Sequence, residues 1–137
     1  MTKKKEVSEI AFQLEKMELT GVKLDVPQGY IASGNFDFDI TVESRLESEQ
    51  HEIVVTVNIV VNDAERKGLG GLISRYWYSV RDFDTLVLRN KEGKFSVPQA
   101  LESSINAVSI STARGMMFSA FRGTALHEVV LPVLDIV

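Results

Sequence analysis

Between Phe36 and Leu46 the chain alternates apolar and polar residues with a strict period of two. Phe36, Phe38, Ile40, Val42 and, in phase, Leu46 stand against Asp37, Asp39, Thr41 and Glu43. That pattern suits an extended strand with one buried and one wetted face, and so commits the chain to an antiparallel sheet. Ile53, Val55, Val57, Ile59 and Val61 repeat it, with Thr56, Asn58 and Asn62 on the other face. The connection from Glu47 to Glu52 is short and polar, so the two strands are expected to form a hairpin.

A third strand is expected from about Leu69 to Phe83, after the turn signals Asn62-Asp63 and Lys67-Gly68. Leu72, Tyr76, Tyr78 and Val80 share one of its faces, whereas Ile73, Trp77 and Phe83 share the other, with Arg75 and Arg81 in the Trp77 phase. Apolar residues on both sides point to a strand covered by a helix on one face and by another chain or ligand on the other. The Trp77 side, carrying arginines, is the wetter.

The N-terminal segment is extended too, but its phase slips. Phe12 and Leu14 share one parity, Met17 and Leu19 the other, and Val22, Leu24 and Val26 return to the first. Bulges or bends are therefore expected near Glu15–Lys16 and Thr20–Gly21. Pro27, Gly29 and Gly34 mark a loop crossing to the next strand.

The single long helix is expected from Pro98 to Arg122, with Ser96 as a candidate N-cap and Gly123 just past the end. Between Ser103 and Phe121 its only charged residue is Arg114, and small neutral residues fill the polar places. A helix on a monomer's surface would ordinarily carry Lys and Glu outside. We expect burial on the chain's own sheet on one side and on a neighbouring subunit on the other, through Ile110, Ala113, Arg114 and Met117. The fold class is thus α+β, a homo-oligomer of single-domain subunits spanning residues 1–137. The segment from His127 to Val137 is nearly all apolar and is interrupted by Pro132, so it is expected to dock in extended form.

Composition narrows the function. The chain has 137 residues and a net charge of −4, which argues against a phosphate-backbone binder. It has no cysteine, which removes thiol catalysis, disulfides and thiolate metal sites. Lys3, Lys4 and Lys5 precede no apolar run, so neither a signal peptide nor a membrane span is expected, and the expected location is cytoplasmic. His51 and His127 lie far apart without metal-ligand spacing, so no metal or cofactor is expected. Gly68, Gly70 and Gly71 precede a strand where a phosphate loop would open a helix, and they read as a hairpin or bulge. No nucleophile elbow is present, and no enzymatic activity is expected. The aromatic residues exceed what one sheet face can bury, so some of them, with Met17, are expected to line a groove for apolar peptide segments.

Several stretches resemble the SecB protein-export chaperones. Ala11-Phe-Gln-Leu-Glu-Lys-Met17 with Leu24-Asp-Val-Pro27 is similar to the family's opening strand. Ser111-Thr-Ala-Arg114-Gly-Met-Met-Phe-Ser-Ala-Phe-Arg122-Gly123-Thr-Ala-Leu126, then Leu131-Pro132-Val-Leu-Asp135, resembles its long helix and exit. The resemblance implies a four-stranded antiparallel sheet backed by helix, assembled as a dimer of dimers. It implies nucleotide-independent holding of non-native polypeptides in a groove, here Met17, Leu19, Tyr30, Phe36, Trp77 and Tyr78, for delivery to the SecA motor. Asp25 matches one of the family's acidic motor-docking places. Gly21 and Arg75 stand where further acids would be expected, which leaves peptide holding intact but questions export. A SecB-like chaperone dedicated to an antitoxin is the alternative the resemblance offers, and a purely structural oligomerisation domain is the other.

Overall fold

The computed structural model describes residues 11–27, 36–92, 94–127 and 129–132. Four long strands, β1 (Phe12–Leu24), β2 (Asp37–Glu47), β3 (Glu52–Asn62) and β4 (Gly68–Val80), form one antiparallel sheet in the order β1-β4-β3-β2. A single-turn helix α1 (Phe83–Leu86) and a small hairpin of β5 (Leu88–Arg89) and β6 (Phe95–Ser96) lead to the long helix α2 (Gln99–Ala120).

The alternation read from the sequence is realised without a slip in the β2–β3 hairpin, which pairs from Asp37 with Asn62 to Glu47 with Glu52. Its turn is a short 3-10 segment over Ser48–Gln50, closed by His51 at φ 56°. Val55, Val57, Ile59 and Val61 of β3 join Leu72, Tyr76, Tyr78 and Val80 of β4 in the core. Helix α2 answers with Leu101, Ile105, Ser109, Ile110, Ala113 and Met117, which recur at three- and four-residue steps.

The glycines before Leu72 are explained by close approach of backbone. A Cβ on Gly71 would sit 2.3 Å from the Ile59 carbonyl oxygen, and one on Gly70 would sit 2.8 Å from that of Lys23. A register shift opposite Val61 and Asn62 completes the bulge that the sequence suggested.

Three expectations are corrected in detail. Phe83 leaves the strand: Asp82 turns the chain at φ 60°, and Phe83 is buried at the start of α1, stacked on His51 at 5.2 Å. Ser96 belongs to β6, so α2 begins after Pro98 with no side-chain cap. The helix ends at Ala120, and Gly123 takes its positive φ of 78° three residues on. Beyond it Leu126, Val129 and Leu131 are buried in the core without regular structure, as a docked segment requires.

Candidate peptide-binding surface

Strand β1 is an edge of the sheet and contains two register shifts against β4, one between Leu14 and Lys16, one between Leu19 and Gly21. Glu15 and Thr20 are the residues left without a partner. Neither is idle. The Ser79 hydroxyl donates to the Glu15 carboxylate at 2.7 Å, and the Thr20 hydroxyl donates to the Ile73 carbonyl at 2.9 Å. Each shift also turns the following side chains over, which cancels the slip in the apolar phase. Leu14 pairs with Tyr78, Met17 with Tyr76, Leu19 with Ser74, Val22 with Leu72 and Leu24 with Gly70, all in the phase of β4 that faces α2.

The helix does not reach the whole of that row. Phe12 and Leu14 pack against the core, and the Phe12 ring meets Tyr78 edge-on at 5.8 Å. Further along, Met17 is 53% exposed, Leu19 42%, Val22 48% and Leu24 47%. Four large apolar side chains thus stand in a line beside a strand edge that pairs with no other strand among the described residues, next to the protein's own core. Such a surface can take up an extended chain by adding it at the edge and burying its alternate side chains.

The residues expected to form a groove are divided by the fold. Met17 and Leu19 stand together in this row. Trp77 pairs with Lys16 on the opposite face of the sheet, with the Lys16 ammonium 4.4 Å from its ring centroid. Phe36 packs against the core, and Tyr30 lies outside the described residues. Tyr78 is fully buried, so it is a core residue and offers no surface to a peptide. Its hydroxyl hydrogen-bonds that of Ser109 at 2.7 Å, and burial pushes its pKa up to about 12. Tyr76 is buried likewise, donates to the Ser74 hydroxyl at 2.7 Å, and has its pKa raised by the same desolvation.

Val22 and Leu24 complete the row and were absent from the sequence-based set. Their signal was the phase slip itself: two slips of one residue return every apolar position of the strand to one face.

The expected subunit interface is corrected as well. Ile110, Ala113 and Met117 are buried against the chain's own sheet, and Arg114 is half-buried. The outer stripe of α2 is instead Ser104, Ala107, Ser111, Gly115 and Phe118, all exposed. Asp25 is exposed at the far end of β1, with its amide donating to the Leu69 carbonyl at 2.8 Å. Among the described residues no three His, Asp or Glu side chains are grouped to hold a metal ion, and no helix is long and apolar enough to cross a membrane.

No family model and no curated protein matches the sequence. Among solved structures the chain is similar to the Mycobacterium tuberculosis Rv1957 SecB-like chaperone in complex with a ChAD peptide from the Rv1956 HigA1 antitoxin. The identity is 11%, the TM-score is 0.56, and the match covers 90% of this chain and 91% of that one. The bulged edge strand, the three-strand meander and the long helix laid over it are together the SecB-like fold.

Proposed function

We propose that this chain is a holding chaperone, which binds non-native polypeptide segments without nucleotide along the row Met17, Leu19, Val22 and Leu24. The observation that carries the reading is that this row faces the helix side yet is exposed, beside a strand edge without a partner strand among the described residues. The peptide-bound state of the similar mycobacterial chaperone supports a peptide client. An antitoxin-type client is the better finer reading than export precursors, because Gly21 and Arg75 replace acids that the resemblance would require for the SecA motor. We further propose a cytoplasmic homo-oligomer, a dimer of dimers, with the uncharged outer stripe of α2 at a subunit contact. The role is binding rather than catalysis.

The test is suppression of aggregation of a chemically denatured protein in the absence of ATP. Wild type should suppress it, Met17→Asp with Leu19→Asp should abolish suppression, and Trp77→Ala should leave it unchanged. Suppression that survives the β1 double substitution would sink the site. No suppression by a folded wild type would sink the function and favour the purely structural role.

A further inference from the structure

The face of the sheet turned away from α2 carries a depression of about 610 Å³ at the glycine-bearing ends of β1 and β4. Gly21 and Gly71 line it and place no side chain there, while Val60 and Ile73 give it apolar walls. Lys23 and Lys67 stand at its margin together with Asp25. Ile73 is 37% exposed, high for a large aliphatic residue in a central strand.

Two positions further along the same face of β4 comes Arg75, and two beyond it Trp77. Arg75 is half-buried, and its Nε is buried with no hydrogen-bond partner among the described residues. Glu18 is its cross-strand neighbour, yet no ion pair joins them. Nor is the ammonium of Lys23 or Lys67 paired with a carboxylate among the described residues. The guanidinium of Arg75, without a carboxylate partner among the described residues, remains available to a carboxylate from outside the protomer.

The strip has a period. From the depression at Gly71 it runs through Ile73, Arg75 and Trp77, with Lys23 and Lys67 at one end and Lys16 over the tryptophan at the other. Successive positions on one face of a strand lie ~6.6 Å apart, which is also the spacing of alternate side chains in any extended peptide laid along it. We infer that this strip docks an extended acidic segment of a partner protein. One aliphatic side chain sits in the Gly21–Gly71 depression, and flanking carboxylates accept from Lys23, Lys67 and Arg75. This face is separated from the client row by the thickness of the sheet, so the two sites can be occupied and tested independently.

Trp77 is the only tryptophan of the chain and reports directly on this face. The probe is a short synthetic peptide with a central leucine flanked by glutamates, with the same peptide carrying lysines in place of the glutamates as control. Titration should change Trp77 fluorescence saturably for the acidic peptide alone, with affinity falling as salt is raised. A Cβ on Gly21 meets nothing within 4 Å, so Gly21→Ile should fold while filling the depression. Gly21→Ile, Lys23→Gln and Arg75→Gln should each weaken binding by about tenfold or more, or ~1.4 kcal/mol. If Gly21→Ile fails to fold by circular dichroism, the two charge variants carry the same test. Met17→Asp should leave this titration unaltered even where it abolishes client holding. Equal binding of the two peptides, no binding of the acidic one, or loss in Met17→Asp rather than in Arg75→Gln would each overturn the inference.

Discussion

Edge strands β1 and β2 belong to one sheet but are finished differently. On β2 the inward residues Phe38, Ile40, Val42 and Leu46 are half-buried and pack against the core, as do Phe95 and Val97 at and after the β5–β6 hairpin. Arg89 hydrogen-bonds back to Ser48 and ties that hairpin to the β2–β3 turn. On β1 the inward residues beyond Leu14 are less covered: Met17, Leu19, Val22 and Leu24 remain exposed. The two strands differ little in apolar content; they differ in how much of it the fold buries. Unprotected edges invite pairing with other chains, and bulges are a usual defence. In β1 the bulges do a second thing, since they keep every apolar residue on the side where a bound segment would also meet the core.

The largest expected effect contrasts a buried with an exposed position. Ala113 is fully buried on the inner side of α2, so Ala113→Glu places an unpaired charge in the core and should cost about 3–5 kcal/mol. Its signature is loss of the folded protomer by circular dichroism. Met17→Asp on the open stretch should change stability by no more than about 0.5 kcal/mol while weakening client binding. Folded, dissociated protomers from Ala113→Glu, or unfolding by Met17→Asp, would break the contrast.

That contrast also marks how far the sequence could be read. The period-two runs at Phe36–Leu46 and Ile53–Val61 specify pairing and face, and both strands form as expected, because one-sided burial leaves only one register. The slips at Glu15 and Thr20 were visible as well, and both are bulges. Which side of α2 faces home was not visible. Ile110, Ala113 and Met117 look no more apolar than a subunit contact would need, and a helix with Arg114 as its only charge after Ser103 has no strongly wet face to orient it. Tyr78 shows the same ambiguity: parity separates it from Trp77, but only the meeting with Ser109 assigns it to the core. Phe83 shared Trp77's parity, yet the left-handed turn at Asp82 ended the strand before parity could apply.

A middle-sized effect sharpens the buried half. Tyr78→Phe removes the hydroxyl that meets Ser109, but the Ser109 hydroxyl keeps its bond to the Ile105 carbonyl at 2.8 Å. The expected loss is about 1 kcal/mol in denaturant unfolding. The same tyrosine gives an alkaline limit. Its folded pKa of about 12 lies above the ordinary 10.0, so the unfolded chain ionises first. The contribution is whole below pH 10.0 and is lost as pH rises toward about 12. Tyr78→Phe should flatten that decline, leaving the smaller share from Tyr76; a decline of unchanged steepness would mean that the Tyr78 hydroxyl is not shielded by burial.

The smallest effect belongs to the defended edge. Asp39 on β2 accepts from the Asn62 amide at 2.9 Å and from Arg66, whose guanidinium also reaches Asp37 at 2.8 Å. The Asn62 hydrogen bond first, then Arg66, lowers the Asp39 pKa below 3.8, and Asp39 first, then Asp37, raises that of Arg66. A lowered carboxylate stabilises the fold above its unfolded pKa and loses that contribution as pH falls through the folded value. All three charged groups are exposed, so the network should add little, and added salt should shrink it further. Asp39→Asn should therefore lower the melting temperature slightly at pH 7, and the gap from wild type should close in strong acid, where both proteins lack the charge. A gap that persists unchanged in acid would show that Asp39 acts through shape rather than charge.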